Sequence, residues 1–99
     1  MKVLAVGHAR GGVKWVDIAP YVGEEARDMW EVYESDQLRE FYLRADHLPG
    51  VVLVFECDDV TEAERLVAAL PMVEANLLDF EVIPLRPYIS FGELFRDPT

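Results

Sequence analysis

Three side chains of contrasting chemistry alternate along one short run: Glu40, Tyr42 and Arg44 stand two residues apart. In a β-strand that spacing puts all three on one face, each about 7 Å from the next. A carboxylate, a phenol and a guanidinium so arranged can take a proton, donate one, and hold an oxyanion or a substrate carboxylate. The same row would serve equally as a solvated edge or as an ion network between subunits. His8 closes an apolar run beside a glycine loop, and an imidazole titrates near neutral pH, as a general base must; the alternative is a hydrogen-bonded structural histidine. Glu56 and Glu81 sit among apolar strand residues, where desolvation raises a carboxyl pKa toward the range useful for proton transfer. Pairing of Glu81 with Arg39 or Arg86 is the competing reading. His8, Tyr42, Arg44 and Glu56 are thus the catalytic candidates, with Glu40 and Glu81 as substrate-binding ones.

Trp15, Tyr21, Trp30 and Tyr33 form an aromatic group around the glycine loop and the segment that follows it. Core packing accounts for Trp30 and Tyr33. Trp15 has no such role in the pattern and is a candidate lid over a flat, apolar substrate, with Tyr21 and Trp30 as further binding surface. His8, His47 and Asp46 match no recognised metal-ligand spacing, so no metal site is expected. The stretch Gly7-x-x-x-Gly11-Gly12 lacks the endings of phosphate-binding and dinucleotide-binding loops, and no cofactor is expected. Cys57 lies between Glu56 and Asp58, which disfavour a thiolate, and is read as structural.

The elements that must position these residues follow from hydrophobic period. Residues 2–8 form an apolar strand, residues 9–20 an irregular loop, and Val22, Ala26, Met29, Trp30 and Tyr33 one face of a helix, with Glu24, Glu25, Asp28 and Glu31 on the other. Residues 37–45 alternate as a strand. A turn at Leu48-Pro49-Gly50 leads antiparallel into a strand over 51–57. Asp59 and Glu62 resemble a capping box opening a second helix that carries Ala63, Leu66, Val67 and Leu70 and ends at Pro71. Residues 77–85 are a fourth strand, with Pro84 confined to an edge or a bulge. The order β-α-β-β-α-β predicts an α+β, ferredoxin-like sandwich in one domain over 1–99: a four-stranded antiparallel sheet with two helices on one face.

The chain has 99 residues, 52% of them hydrophobic, one cysteine and a formal charge of −10. That composition folds as one domain. Nineteen acidic against nine basic side chains argue against nucleic acid and anionic lipid as partners. The longest apolar run, residues 51–55, is too short for a membrane span, and nothing near Met1 reads as a signal peptide; a cytoplasmic chain is expected. Apolar residues occupy both strand parities, for example Val52 and Val54 against Val51, Leu53 and Phe55. Two helices hide only one sheet face, so a homodimer at least is expected, sheet against sheet, with the apolar tail 87–99 packing on the partner.

Three stretches carry a family resemblance: Trp30-Glu31-Val32-Tyr33; Leu38-Arg39-Glu40-Phe41-Tyr42-Leu43-Arg44; and Ala68-Ala69-Leu70-Pro71 with residues 77–85. With these the chain resembles the dimeric α+β barrel superfamily, nearest the muconolactone delta-isomerase-like proteins. The resemblance implies two face-packed sheets and a small pocket in each subunit between sheet and helices, often closed by the partner's tail. The superfamily hosts several chemistries, and fold alone does not select one. The favoured expectation is a cofactor-free isomerase or cyclase that shifts a proton on a small lactone, carboxylate or aromatic polyketide-like substrate. The alternatives are a non-catalytic homodimeric ligand-binding or assembly module, and a cofactor-independent monooxygenase.

Overall fold

The computed structural model describes residues 1–47 and 49–97. Strands β1 (Lys2–Ala9), β2 (Leu38–Leu43), β3 (Gly50–Glu56) and β4 (Leu78–Pro84) form one antiparallel sheet in the order β2-β3-β1-β4. Helices α1 (Trp15–Ile18), α2 (Val22–Glu34), α3 (Val60–Ala68) and α4 (Pro71–Glu74) lie between them. This is the ferredoxin-like α+β arrangement that the order of hydrophobic periods predicts. Pro84 ends the edge strand β4, opposite Val3, a position that tolerates its missing donor. Of the expected turn between β2 and β3, Leu48 lies outside the described residues.

Register separates the two faces. Val3, Ala5 and Gly7 pair laterally with Phe55, Leu53 and Val51 on one side and Pro84, Val82 and Phe80 on the other. Together with Leu38, Ala63, Val67 and Leu70, the apolar members of this face make the main core. Gly7 is required here: a Cβ would stand 2.6 Å from the Phe80 ring, which crosses the strand at that point. Leu4, Val6 and His8, with Val52 and Val54, point the opposite way and are only partly covered or exposed.

Four local expectations change. The loop over 9–20 contains α1 and a 3-10 turn, Ala19–Tyr21, because Ile18 is an apolar anchor, 2% exposed, packed with Met72 and Leu78. Pro71 does not merely stop the second helix; α3 ends at Ala68, and Pro71 opens α4 in the first-turn position where its missing N–H costs nothing. Leu38 leaves the parity of Glu40, because a register shift between them adds a residue to β2, so that Leu38 is buried in the core and Glu40 is exposed. Finally, the buried residue of α2 is Glu25, which pattern alone assigns to the solvent face, while Val22 and Trp30 are exposed.

Local chemistry sets the helix ends. The Asp59 carboxylate accepts the Glu62 amide N–H at 2.9 Å, and Glu62 in turn accepts the N–H of Asp58, one residue before the cap, at 2.8 Å. After α2 and α4 the chain turns out through left-handed Asp36 (φ 69°) and Asn76 (φ 59°), residue types that adopt that conformation at modest cost. Burial pushes the Cys57 thiol pKa up, in keeping with a structural role.

An apolar cavity between sheet and helices

Helix α2 stands away from the β2 edge of the sheet, and the gap is a cavity of about 620 Å³, within the range that holds small organic ligands. Val22, Ala26 and Met29 line it from α2, Phe41, Leu43 and Val51 from the sheet, and Trp15 and Met72 from the short helices. The exposed apolar stripe of α2 is therefore the wall of a hollow. A smaller hollow of about 200 Å³ continues along α2, between Trp30, Tyr33 and Phe41, whose rings stack in sequence at 5.3 and 5.4 Å between centroids.

One ionisable side chain is buried against the main cavity. Glu25 is 7% exposed, and its Oε1 accepts the backbone N–H of Met72 at 3.1 Å. Oε2 takes no hydrogen bond from the described residues and is not sealed from open space, and Glu25 is one of the residues that line the cavity. Burial raises the carboxyl pKa above its ordinary value, the Met72 hydrogen bond works against that, and the nearby charges of Asp28 and Glu24 add to the rise. A carboxyl so placed holds its proton more tightly than an exposed glutamate does. Two other lining side chains carry a donor. The Trp15 indole makes no hydrogen bond within the chain, and Tyr42, at the rim, gives its hydroxyl to Glu40 Oε1 at 2.8 Å.

The residues singled out from sequence divide between two places. Trp15 lines the cavity, Trp30 lines the smaller hollow, and Tyr21 packs in the cluster of Ile18, Met72 and Leu78. His8, Glu40, Arg44, Glu56 and Glu81 share the sheet face turned away from the helices and are not brought to the cavity. Arg44 grips Asp46 with two bonds, 3.0 Å from Nε and 2.8 Å from Nη2, and this pairing lowers the Asp46 carboxyl pKa to about 2. Glu56 pairs with the Met1 amino group at 2.7 Å, which lowers its pKa, the reverse of the desolvated state expected of a proton donor. The bond to Glu40 raises the Tyr42 hydroxyl pKa, making it a weaker acid. His8 stands 5.9 Å, ring to ring, from His47 and opposite Asp79, whose carboxylate meets Arg10 Nε at 3.4 Å.

Glu25 escapes the sequence reading because a glutamate among Glu24, Asp28 and Glu31 reads as a solvated face. The signal was present: Val22, Glu25, Ala26 and Met29 fall at i, i+3, i+4 and i+7, so Glu25 shares the apolar stripe.

The chain matches no protein-family model and no curated protein. Among solved structures it superposes on 5-chloro-2-hydroxyhydroquinone dehydrochlorinase from Burkholderia phenoliruptrix AC1100, in complex with 2,5-dihydroxybenzoquinone, at a TM-score of 0.63. The alignment covers 87% of this chain and 94% of that one at 17% identity. The two proteins share a fold. This chain has the ferredoxin-like α+β fold, and the identity is too low to carry chemistry across. Among the described residues no helix is long and apolar enough to cross a membrane, and no cluster of three metal-ligating side chains occurs.

Proposed function

We propose that the protein is a small cofactor-free enzyme of the isomerase or cyclase type, acting on a ring-sized lactone, carboxylate or aromatic polyketide-like substrate in the cavity between α2 and the sheet. The observation that carries this reading is Glu25, a carboxyl buried in an apolar hollow with one oxygen unengaged. Ionised, it takes a proton from a substrate C–H; protonated, it returns that proton to another carbon of the same molecule, so the reaction is balanced without a co-reactant. The apolar walls exclude water and strengthen each polar contact, and the Trp15 indole N–H is available to the oxyanion that develops. The dehydrochlorinase, solved with a small ring compound, supports the reading by fold alone.

Deuterium uptake from D2O into a panel of lactones and hydroxylated rings tests it. Glu25→Gln should slow exchange by about 10²–10⁴-fold, the usual contribution of a positioned acid or base. A variant that exchanges at the parental rate removes Glu25 from the chemistry.

The polar row favours a second role for the opposite face. We infer that two copies pair across it, Arg44–Asp46 and Tyr42–Glu40 forming part of the contact and the tail from residue 87 lying on the partner. Support comes from exposed Tyr88, Ile89, Phe91, Leu94 and Phe95; residues 98 and 99 of that tail lie outside the described residues. Arg44→Ala should then weaken self-association in sedimentation velocity and leave ligand affinity in the cavity unchanged. The reverse pattern would move the binding site to the open sheet face.

A further inference from the structure

Among the described residues no lysine, arginine or histidine lines the cavity. Arg44, the guanidinium nearest in sequence to the lining residues of β2, is locked on Asp46 by two hydrogen bonds. The wall instead offers the Glu25 carboxyl, backed on the same helix by Glu24 and Asp28. An anionic substrate entering here would give up its hydration with no counter-charge to replace it, and would meet a carboxyl held in place by the Met72 N–H. Burying an unpaired charge costs several kcal/mol, far more than burying a neutral hydroxyl that finds a hydrogen-bond acceptor. Glu25 Oε2 is such an acceptor. Apolar walls on α2, β2 and β3 supply the contact area for a ring.

We propose that this cavity discriminates by charge, admitting uncharged or cationic ring compounds that present a hydrogen-bond donor to Glu25 and rejecting carboxylates of the same shape. The inference rests on the cavity being the ligand site and narrows its substrate class, removing free carboxylic acids from it. Glu25 is the specificity-determining residue, acting through its charge and its unengaged oxygen.

Three probes with one ring skeleton test it by calorimetry on the intact protein near neutral pH: 2-naphthol, 2-naphthoate and 2-naphthylmethylammonium. The expected order is the ammonium and the naphthol together, with the naphthoate weaker by about ten-fold or more, since unpaired charges are excluded on this scale. Loss of the Trp15 indole NMR signal position on naphthol binding should place the ligand in the cavity. Glu25→Gln, confirmed folded by circular dichroism, should narrow the naphthol–naphthoate gap by strengthening the naphthoate, which stays the weaker ligand because the wall still offers no counter-charge. The wild-type series stands without the variant. Naphthol bound at Trp15 with naphthoate equally tight or tighter overturns the charge rule and leaves the cavity as the ligand site. Failure of all three probes to perturb Trp15 overturns both. A gap unchanged in Glu25→Gln removes Glu25 as its cause.

Discussion

At the residue scale the decisive group is Glu25, and its burial has a measurable consequence for stability. Because its pKa is raised in the fold above the ordinary glutamate value of 4.5, the folded chain holds that proton more tightly than the unfolded chain does. The contribution to stability is therefore full below the unfolded-state pKa and is lost as pH rises through the folded-state one. Glu25→Gln removes this titration, so the variant's denaturation midpoint relative to the parent should climb as pH rises from 4.5 through the folded-state pKa. A constant difference across that range would mean that the carboxyl titrates alike in both states. Gly7 is the second residue with a sharp expectation. Gly7→Ala drives a methyl into the Phe80 ring and should cost ~1–3 kcal/mol in urea unfolding, with recovery when Phe80 is reduced to Leu. Absence of recovery would assign the loss to the strand backbone instead.

At the element scale, the short helix α1 holds one end of the cavity. Its four residues carry little intrinsic helical stability, so its place depends on Ile18 in the cluster with Met72 and Leu78. Ile18→Ala should cost about 2–5 kcal/mol and free the Trp15 wall, seen as weaker ligand binding. Retained affinity would show that α1 does not shape the site. The first turn of α3 is a simpler case: Asp59→Ala removes the cap on the Glu62 N–H and should lower stability by about 1 kcal/mol. Here the sequence is explicit. The Asp59–Glu62 spacing, the apolar period of α3 and the short apolar runs of β1 and β3 all announce their structures. The residue added to β2 between Leu38 and Glu40 has no such mark, because a bulge is decided by pairing with β3 and not by the residues of β2 alone. The α1 segment is hidden for a related reason: Ile18 is one apolar residue in a polar, glycine-containing stretch, and only its tertiary partners make it an anchor.

At the scale of the whole molecule the chain is elongated. Its radius of gyration is 16.6 Å, against about 13 Å for a compact domain of this length. In the tail, Ile89 and Phe95 are 83% and 86% exposed, and exposed apolar surface of this kind marks sites of association. Sedimentation should therefore give a mass of twice 11.3 kDa or a higher multiple. Ending the chain after Leu85, or placing lysine at Val54 on the open face, should shift it toward the single-chain mass. A monomer at micromolar concentration in the parent protein would refute the pairing.

Composition, period and turn chemistry were enough to specify the α+β class, the element order β-α-β-β-α-β and the excess of apolar surface on both sheet faces, because each of these is written in local spacing. They also placed Glu40, Tyr42 and Arg44 on one strand face. Which face encloses a cavity is not a local property. It depends on how α2, α4 and the sheet come together, and side chains as distant in sequence as Met29, Phe41 and Met72 line the space between them. Only the folded chain therefore turns the polar row outward and brings a single glutamate, Glu25, inward to the cavity.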